Sequence, residues 1–458
     1  MNTAGLPSVA QCARAIVDRE VSPLELTRTR LERIDRIDPV LRAFVTVDRE
    51  RALRDAARLT RELDATGPRG PMHGVPVGIK DLIDVAGLPT TASSRVLAGN
   101  VATRDAGVVG RLRAAGAVIL GKLNTQEFAY GVVSAPTRNP WDLERIPGGS
   151  SGGSGAAVAA SLCPGALGTD TAGSVRIPSA LCGITGLRPR RTTVPMDGIV
   201  PLSWSLDSCG PMAAGASDVA VMWQAMTGAA PASPRLHGLR IGVPDLDEDF
   251  LGLDDEVGAA VDRGVKALED EGGRIAPARL PAFACWGEAL GILLAAEAAA
   301  AHIEAGWYER RVEYLPETRL ALDFGAGLKA TEVVLARRRL GRLRARWQEA
   351  MAELDVIVLP TTPIAAPRID ELEPHEDSGH RPPIARILTR ICGPINFCDL
   401  AAVSVPCGFT DDELPIGMQL VAANEDMALS AALAFQESTD WHRRAPASVP
   451  QDAPSGAT

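Results

Sequence analysis

Gly148-Gly149-Ser150-Ser151-Gly152-Gly153-Ser154, an apolar stretch around Ala156-Ala157-Val158-Ala159-Ala160, then Gly168-Thr169-Asp170-Thr171-Ala172-Gly173-Ser174-Val175-Arg176: this run decides the reading of the chain. Two Gly/Ser loops flank a segment with the composition of a tightly packed helix. Glycines permit positive φ and let backbone N–H groups approach a ligand closely. A serine in each loop adds a hydroxyl where donors are already dense. Together these supply a nucleophile, a group to take its proton and an oxyanion hole, the parts of an acyl-transfer enzyme.

Other readings of the first loop are weaker. A flexible Gly/Ser linker is seldom followed at once by a compact apolar helix. A phosphate cradle lacks the Gly-x-x-x-x-Gly-Lys-Ser/Thr or Gly-x-Gly-x-x-Gly pattern. Gly149-Ser150-Ser151-Gly152-Gly153 matches the nucleophile-elbow pattern formally, but that elbow follows a strand. Here Asn139-Pro140-Trp141-Asp142 and Arg145-Ile146-Pro147 precede it and read as loop.

Upstream, the apolar, β-rich run Val75-Pro76-Val77-Gly78-Ile79-Lys80-Asp81-Leu82-Ile83 predicts a buried strand with a lysine inside it. Lysine is almost never buried without a partner or a purpose. Read alone, Lys80 fits a structural pair with Asp81 as well as it fits a base, since burial favours the neutral amine. Lys122, in Gly121-Lys122-Leu123-Asn124 after the expected strand Val118–Leu120, is the rival for that role.

These three motifs, in this order, resemble the amidase signature family, whose marks are the Gly-Gly-Ser-Ser-Gly-Gly-Ser loop, a downstream Gly-Ser-x-Arg loop and an upstream lysine in Gly-Ile-Lys-Asp. The resemblance covers about residues 8 to 440. It implies a Ser–cis-Ser–Lys triad in which Lys80 is the base, Ser150 the cis-serine and Ser174 the nucleophile. Backbone N–H groups of Thr171, Ala172, Gly173 and Ser174 would form the oxyanion hole. Ser151, Asp170 and Arg176 would support the site, the last two as an ion pair holding the loop. Where relatives usually read Gly-Gly-Ser, this chain reads Ala172-Gly173-Ser174. Cys182, close behind, reads as a small buried hydrophobe rather than a second nucleophile.

The resemblance also implies an α/β fold, a single large mixed β-sheet core covered by helices on both sides, so one catalytic domain over 1–440. The mostly helical 285–354 region would vary and shape the pocket, and the stretch from Tyr130 to Arg138 would border the substrate entrance. The Pro/Ala/Ser-rich tail 445–458 is expected to be disordered.

The implied activity is hydrolysis of a carboxylic amide, or a related carbamate or urea, at a C–N bond other than a peptide bond. The runner-up is the A-type subunit of a tRNA-dependent amidotransferase, which carries the same triad within a complex. No metal or organic cofactor is implied. The expected partner is a small-molecule amide or carbamate, the expected state a monomer or homo-oligomer.

Composition is ordinary for a globular protein: 458 residues, 46% hydrophobic and 23% charged. A formal net charge of −10 argues against a nucleic-acid-binding surface. Eight scattered cysteines without a Cys-x-x-Cys spacing suggest reduced thiols and a cytoplasmic setting, and the six histidines form no His-Glu-x-x-His pattern. No secretory signal is expected at the N-terminus. Ala289–Ile303, interrupted by Glu297 and His302, reads as too short and too polar to span a bilayer.

Local signals place several elements. Ser22-Pro23-Leu24-Glu25 is a capping box that should start a helix, with Glu25, Arg28, Glu32 and Arg33 mostly on its wet face. Arg51–Leu63 should be a second amphipathic helix. Asp105 should cap a helix running through Leu112. The basic run Arg337-Arg338-Arg339-Leu340-Gly341-Arg342 lies among glutamates and reads as a solvated helix face.

Overall fold

The computed structural model describes residues 6–230, 232–246, 252–372, 384–447 and 449. Its centre is one eleven-stranded sheet. The strands are β1 (Phe44–Val47), β2 (Pro76–Lys80), β3 (Val118–Leu123), β4 (Gly165–Asp170), β5 (Thr185–Arg188), β6 (Ser208–Ala213), β7 (Arg240–Pro244), β8 (Arg274–Ala278), β9 (Val356–Pro360), β10 (Ala401–Phe409) and β11 (Pro415–Ala422). They lie in the order β1-β3-β2-β4-β6-β5-β10-β11-β9-β7-β8. β2 runs parallel to both β3 and β4, while β4 and β6 are antiparallel, so the sheet is mixed.

β2, β3, β4 and β6 are buried along their whole length. Strands covered on both faces must be near-continuously apolar, and any polar side chain in them needs partners inside the protein. The two that matter most, Lys80 and Asp170, stand at the C-terminal ends of the parallel neighbours β2 and β4.

Helix Pro23–Leu41 starts as the capping box requires: Glu25 N–H donates to Ser22 Oγ at 3.2 Å and Ser22 N–H to Glu25 Oε2 at 2.9 Å. Its polar face departs from expectation at Arg33, which is 2% exposed. Arg33 Nε donates to the Ala160 carbonyl at 2.8 Å, and Arg30 Nη1 to the Ser161 carbonyl at 2.7 Å. Those carbonyls stand just past helix Gly152–Ala159, where a helix leaves acceptors unsatisfied and the dipole favours cations. Asp105 differs as well: Ala106 precedes helix Gly107–Ala114, and Asp105 instead accepts from Ala86 N–H at 2.8 Å and pairs with Arg113.

The helical region contains helices Gly287–Glu304, Pro316–Gly327 and Ala330–Ala352. By length and apolar composition alone, the stretch Phe283–Glu304 is enough to cross a membrane, longer than the sequence suggested. In the protein it packs Ala289, Leu293, Ala298 and Ala299 inward, with Glu297 and His302 also buried. All eight cysteines are free, and all but Cys285 are buried. Of the tail 445–458, residues 448 and 450–458 lie outside the described residues, and Val449 is buried in a core cluster.

Candidate active site

Lys80 is fully buried, and its Nζ stands 2.8 Å from each of three hydroxyls: Ser150 Oγ, Ser151 Oγ and Thr169 Oγ1. Burial drives its pKa down from the ordinary 10.5 to about 7, with the charges of Asp170 and Asp207 opposing the shift. The amine is therefore available in neutral form near neutral pH. Lys122 sits elsewhere, 3.0 Å from Asp81 Oδ1 and bonded to Thr90 Oγ1 and the Pro89 carbonyl. Asp81 thus belongs to Lys122, and Lys80 has no carboxylate in direct contact among the described residues.

The serine loop is fixed through its backbone. The Gly149–Ser150 peptide is cis. The Ser150 carbonyl accepts from Gln126 N–H at 3.1 Å and from Ser134 Oγ at 3.0 Å. Gly149 leaves no room for a side chain: a Cβ there would stand 2.7 Å from Ser134 Oγ and from the Val132 carbonyl carbon.

Ser174 lies across from this cluster, 6% exposed. Its carbonyl accepts from Ser151 N–H at 3.2 Å, which ties the two loops together. Among the described residues hydrogen bonds join Lys80 to Ser150, and none joins Ser150 to Ser174. Active-site hydrogen bonds are often long without substrate and tighten when it binds.

Asp170 and Arg176 form a fully buried ion pair, with Arg176 Nε and Nη2 each 3.0 Å from the carboxylate. Burial opposes ionisation of Asp170, yet Arg176 holds its carboxyl well below the usual range. Asn396 Nδ2 donates to Asp170 Oδ1 at 2.9 Å, and Gln419 Oε1 accepts from Arg176 Nη1 at 2.8 Å. Asp170 also takes the Gly173 N–H at 2.8 Å. That donor, one of the four the resemblance assigns to the oxyanion hole, is engaged with the carboxylate. Thr171, Ala172 and Ser174 N–H groups donate no hydrogen bond among the described residues. Gly173 has φ of 117°, and a Cβ there would come within 2.6 Å of Cys392 Cβ.

Above the site opens a cavity of about 1930 Å³. Thr171, Ala172 and Ser174 form part of its floor, and Tyr130, Val132, Leu202, Leu206, Phe283 and Trp286 part of its largely apolar wall. The segment from Tyr130 to Ala135 and helices of the 285–354 region both contribute to the lining. No histidine lines it among the described residues, nor does any group of three metal-ligating side chains occur among them.

Four residues escaped the sequence reading. Thr169 stands inside the motif stretch but carries no glycine or serine signature of its own. Asn396, Gln419 and Asp207 reach the site from far along the chain, and no local pattern singles them out.

These features define an α/β enzyme with a buried lysine and two serine loops beneath an apolar cavity. A family model described as Amidase matches residues 25–427, and the chain belongs to that family. It is 39% identical to the A subunit of the glutamyl-tRNA(Gln) amidotransferase of Roseiflexus castenholzii, over 96% of this chain and 97% of that protein. Among solved structures, a 6-aminohexanoate cyclic dimer hydrolase superposes with a TM-score of 0.84 at 28% identity, covering 97% of this chain and 100% of that one. A second, from a vestigial protein complex bearing on the origins of an s-triazine catabolic enzyme, gives a TM-score of 0.86 at 31% identity, with coverage of 94% and 98%.

Proposed function

We propose that this protein cleaves the C–N bond of a carboxylic amide through an acyl-enzyme on Ser174. The observation that carries the reading is a fully buried lysine 2.8 Å from the Ser150 hydroxyl, in a loop hydrogen-bonded to the one whose Ser174 lines the cavity. Neutral Lys80 takes the proton of Ser150, and Ser150 takes that of Ser174 as its Oγ bonds to the carbonyl carbon. The oxyanion turns toward the N–H groups of Thr171, Ala172 and Ser174; one such donor is typically worth about 2.7–4 kcal/mol. The relay returns a proton to the leaving nitrogen as the C–N bond breaks, and water attack on the ester frees the acid.

Of the two settings for this chemistry, the name of the Roseiflexus relative favours a component of a tRNA amidotransferase, a partner kind that the main sequence reading set aside. The apolar cavity wall supports the other, a hydrolase acting alone on amides or carbamates with a bulky apolar substituent, and that is the reading adopted. Pure protein, without added partners, is assayed against chromogenic anilides and carbamates and against glutamine. Turnover of the apolar substrates, lost in Ser174→Ala, supports the hydrolase. Activity confined to glutamine, and only with the other components of such a complex present, overturns it in favour of the amidotransferase. Full turnover in Ser174→Ala defeats both.

A further inference from the structure

The loop bearing Thr171 is tied to the helical region by an unbroken polar chain that the reaction sequence above does not use. Thr171 Oγ1 donates to Asp207 Oδ1 at 2.6 Å. Asp207 Oδ2 accepts from the N–H groups of Leu202 and Ser203, both at 2.9 Å. The same turn closes on itself through Asp207 N–H and Leu206 N–H to the Ser203 carbonyl. From its outer side Glu297, on helix Gly287–Glu304, reaches in. Glu297 Oε2 accepts from Ser203 Oγ at 2.6 Å and Ser205 N–H at 3.0 Å, and Oε1 from Ser205 Oγ at 2.6 Å. Arg337, half-exposed on helix Ala330–Ala352, closes the chain with Nη2 2.5 Å from Glu297 Oε1.

A carboxylate that is only 2% exposed would be left strongly unfavourable if unpartnered. Glu297 instead accepts four hydrogen bonds, three of them from one short turn. That turn carries Leu202 and Leu206 into the cavity wall and holds Asp207 against Thr171. A fully satisfied buried network has one low-energy arrangement, so it fixes position as well as contributing stability.

We infer that Glu297 is a positioning residue for the reaction: through Ser203, Ser205 and Asp207 it sets where Thr171 stands, and with it the backbone that receives the oxyanion. The inference rests on the proposed acyl-enzyme chemistry at Ser174. A donor displaced by about 1 Å at a reacting centre costs on the order of a hundredfold in rate. Because the oxyanion forms only after the substrate is bound, in the tetrahedral intermediate and the transition states flanking it, the loss belongs in kcat rather than KM.

The test uses the full chain and the best chromogenic anilide or carbamate from the panel. Glu297→Leu should lower kcat by about ten- to a hundredfold with KM within about threefold, as expected for a misplaced donor. Glu297→Gln, which keeps one oxygen on the Ser203–Ser205 turn, should restore kcat to within about threefold of the parent. Combining Glu297→Leu with Asp207→Asn should be no slower than the slower single variant, because both act on one chain of contacts. If Glu297→Leu does not unfold cooperatively, Ser203→Ala with Ser205→Ala carries the test and should show the same kcat-only loss. Unchanged kcat in the folded variant, a loss confined to KM, or additive losses in the double variant would overturn the inference. Ser174→Ala separates the two failures: if it keeps turnover, the acyl-enzyme reading itself falls. If it is inactive while Glu297→Leu matches the parent, only the role of Glu297 falls.

Discussion

Acidification should titrate Lys80 directly, and its consequences can be worked out in both rate and stability. With the amine's pKa near 7, half of it is neutral at pH 7, about 1% at pH 5 and nearly all at pH 9. If acylation needs the neutral form, kcat/KM should rise by about a hundredfold from pH 5 to pH 9, with its midpoint near 7. The assay is the initial release of a chromogenic amine under single-turnover conditions across that range. Asp207→Asn removes a negative charge that favours the ammonium, so the acid limb should move to lower pH whatever happens to the plateau. Stability supplies an independent reading. The lysine's folded pKa lies below its unfolded value of 10.5, so between about pH 7 and 10.5 the unfolded chain binds more protons and stability rises with pH. The burden on the folded state is greatest below pH 7 and vanishes above 10.5. The gap between those two values, at about 1.36 kcal/mol per pH unit, sets it at roughly 5 kcal/mol. Lys80→Met lacks this titration. Its stability relative to the parent, from urea unfolding, should therefore fall by about 2 kcal/mol between pH 7 and pH 9. A flat rate profile, a midpoint near 10, or a pH-independent stability difference would refute the neutral-amine argument.

Lys122→Met should leave the acid limb of the rate profile in place while costing about 3–5 kcal/mol in urea unfolding, because it strands the buried Asp81 carboxylate; a displaced limb would make Lys122 part of the proton path. Arg176→Ala should cost a similar 3–5 kcal/mol by leaving Asp170 buried and unpaired. Arg176→Lys should rescue it poorly, since a point charge cannot reproduce the two-pronged contact, and calorimetric Tm values rank the three proteins. Gly173→Ala should destabilise by more than about 1 kcal/mol, combining a left-handed φ with a collision at Cys392, and should lower kcat with it. Ala172→Gly, on the open side of the same loop, should stay within about 1 kcal/mol of the parent in unfolding.

What the sequence discloses about this site follows from how each residue is specified. Ser150, Ser151 and Ser174 stand in glycine-dense loops whose composition is itself unusual, and Lys80 interrupts an apolar strand; both signals are local, so both can be read in a single window. The partners that complete the site are set by sheet topology instead. Asn396 meets Asp170 across 226 residues because β10, which follows Asn396, lies two strands from β6, the partner of β4. Nothing near residue 396 marks it out. Local rules also mislead where a tertiary contact outbids them. Arg33 belongs on a wet helix face by spacing, but the carbonyls beyond helix Gly152–Ala159 need donors, and it turns inward to supply one. Asp105 has the chemistry of a helix cap and is taken by Ala86 N–H and Arg113. Glu297 is the sharpest instance. In sequence it is a polar break in an apolar stretch, evidence only against a membrane span. In the fold it is the acceptor on which the Ser203–Ser205 turn closes. A buried carboxylate inside an alanine-rich helix is explained by what it holds, and here that is the turn whose Asp207 holds Thr171. On the proposed role of Glu297, a substitution there would alter the floor of the pocket as well as its wall, and one at Arg337 would act on the same chain of contacts.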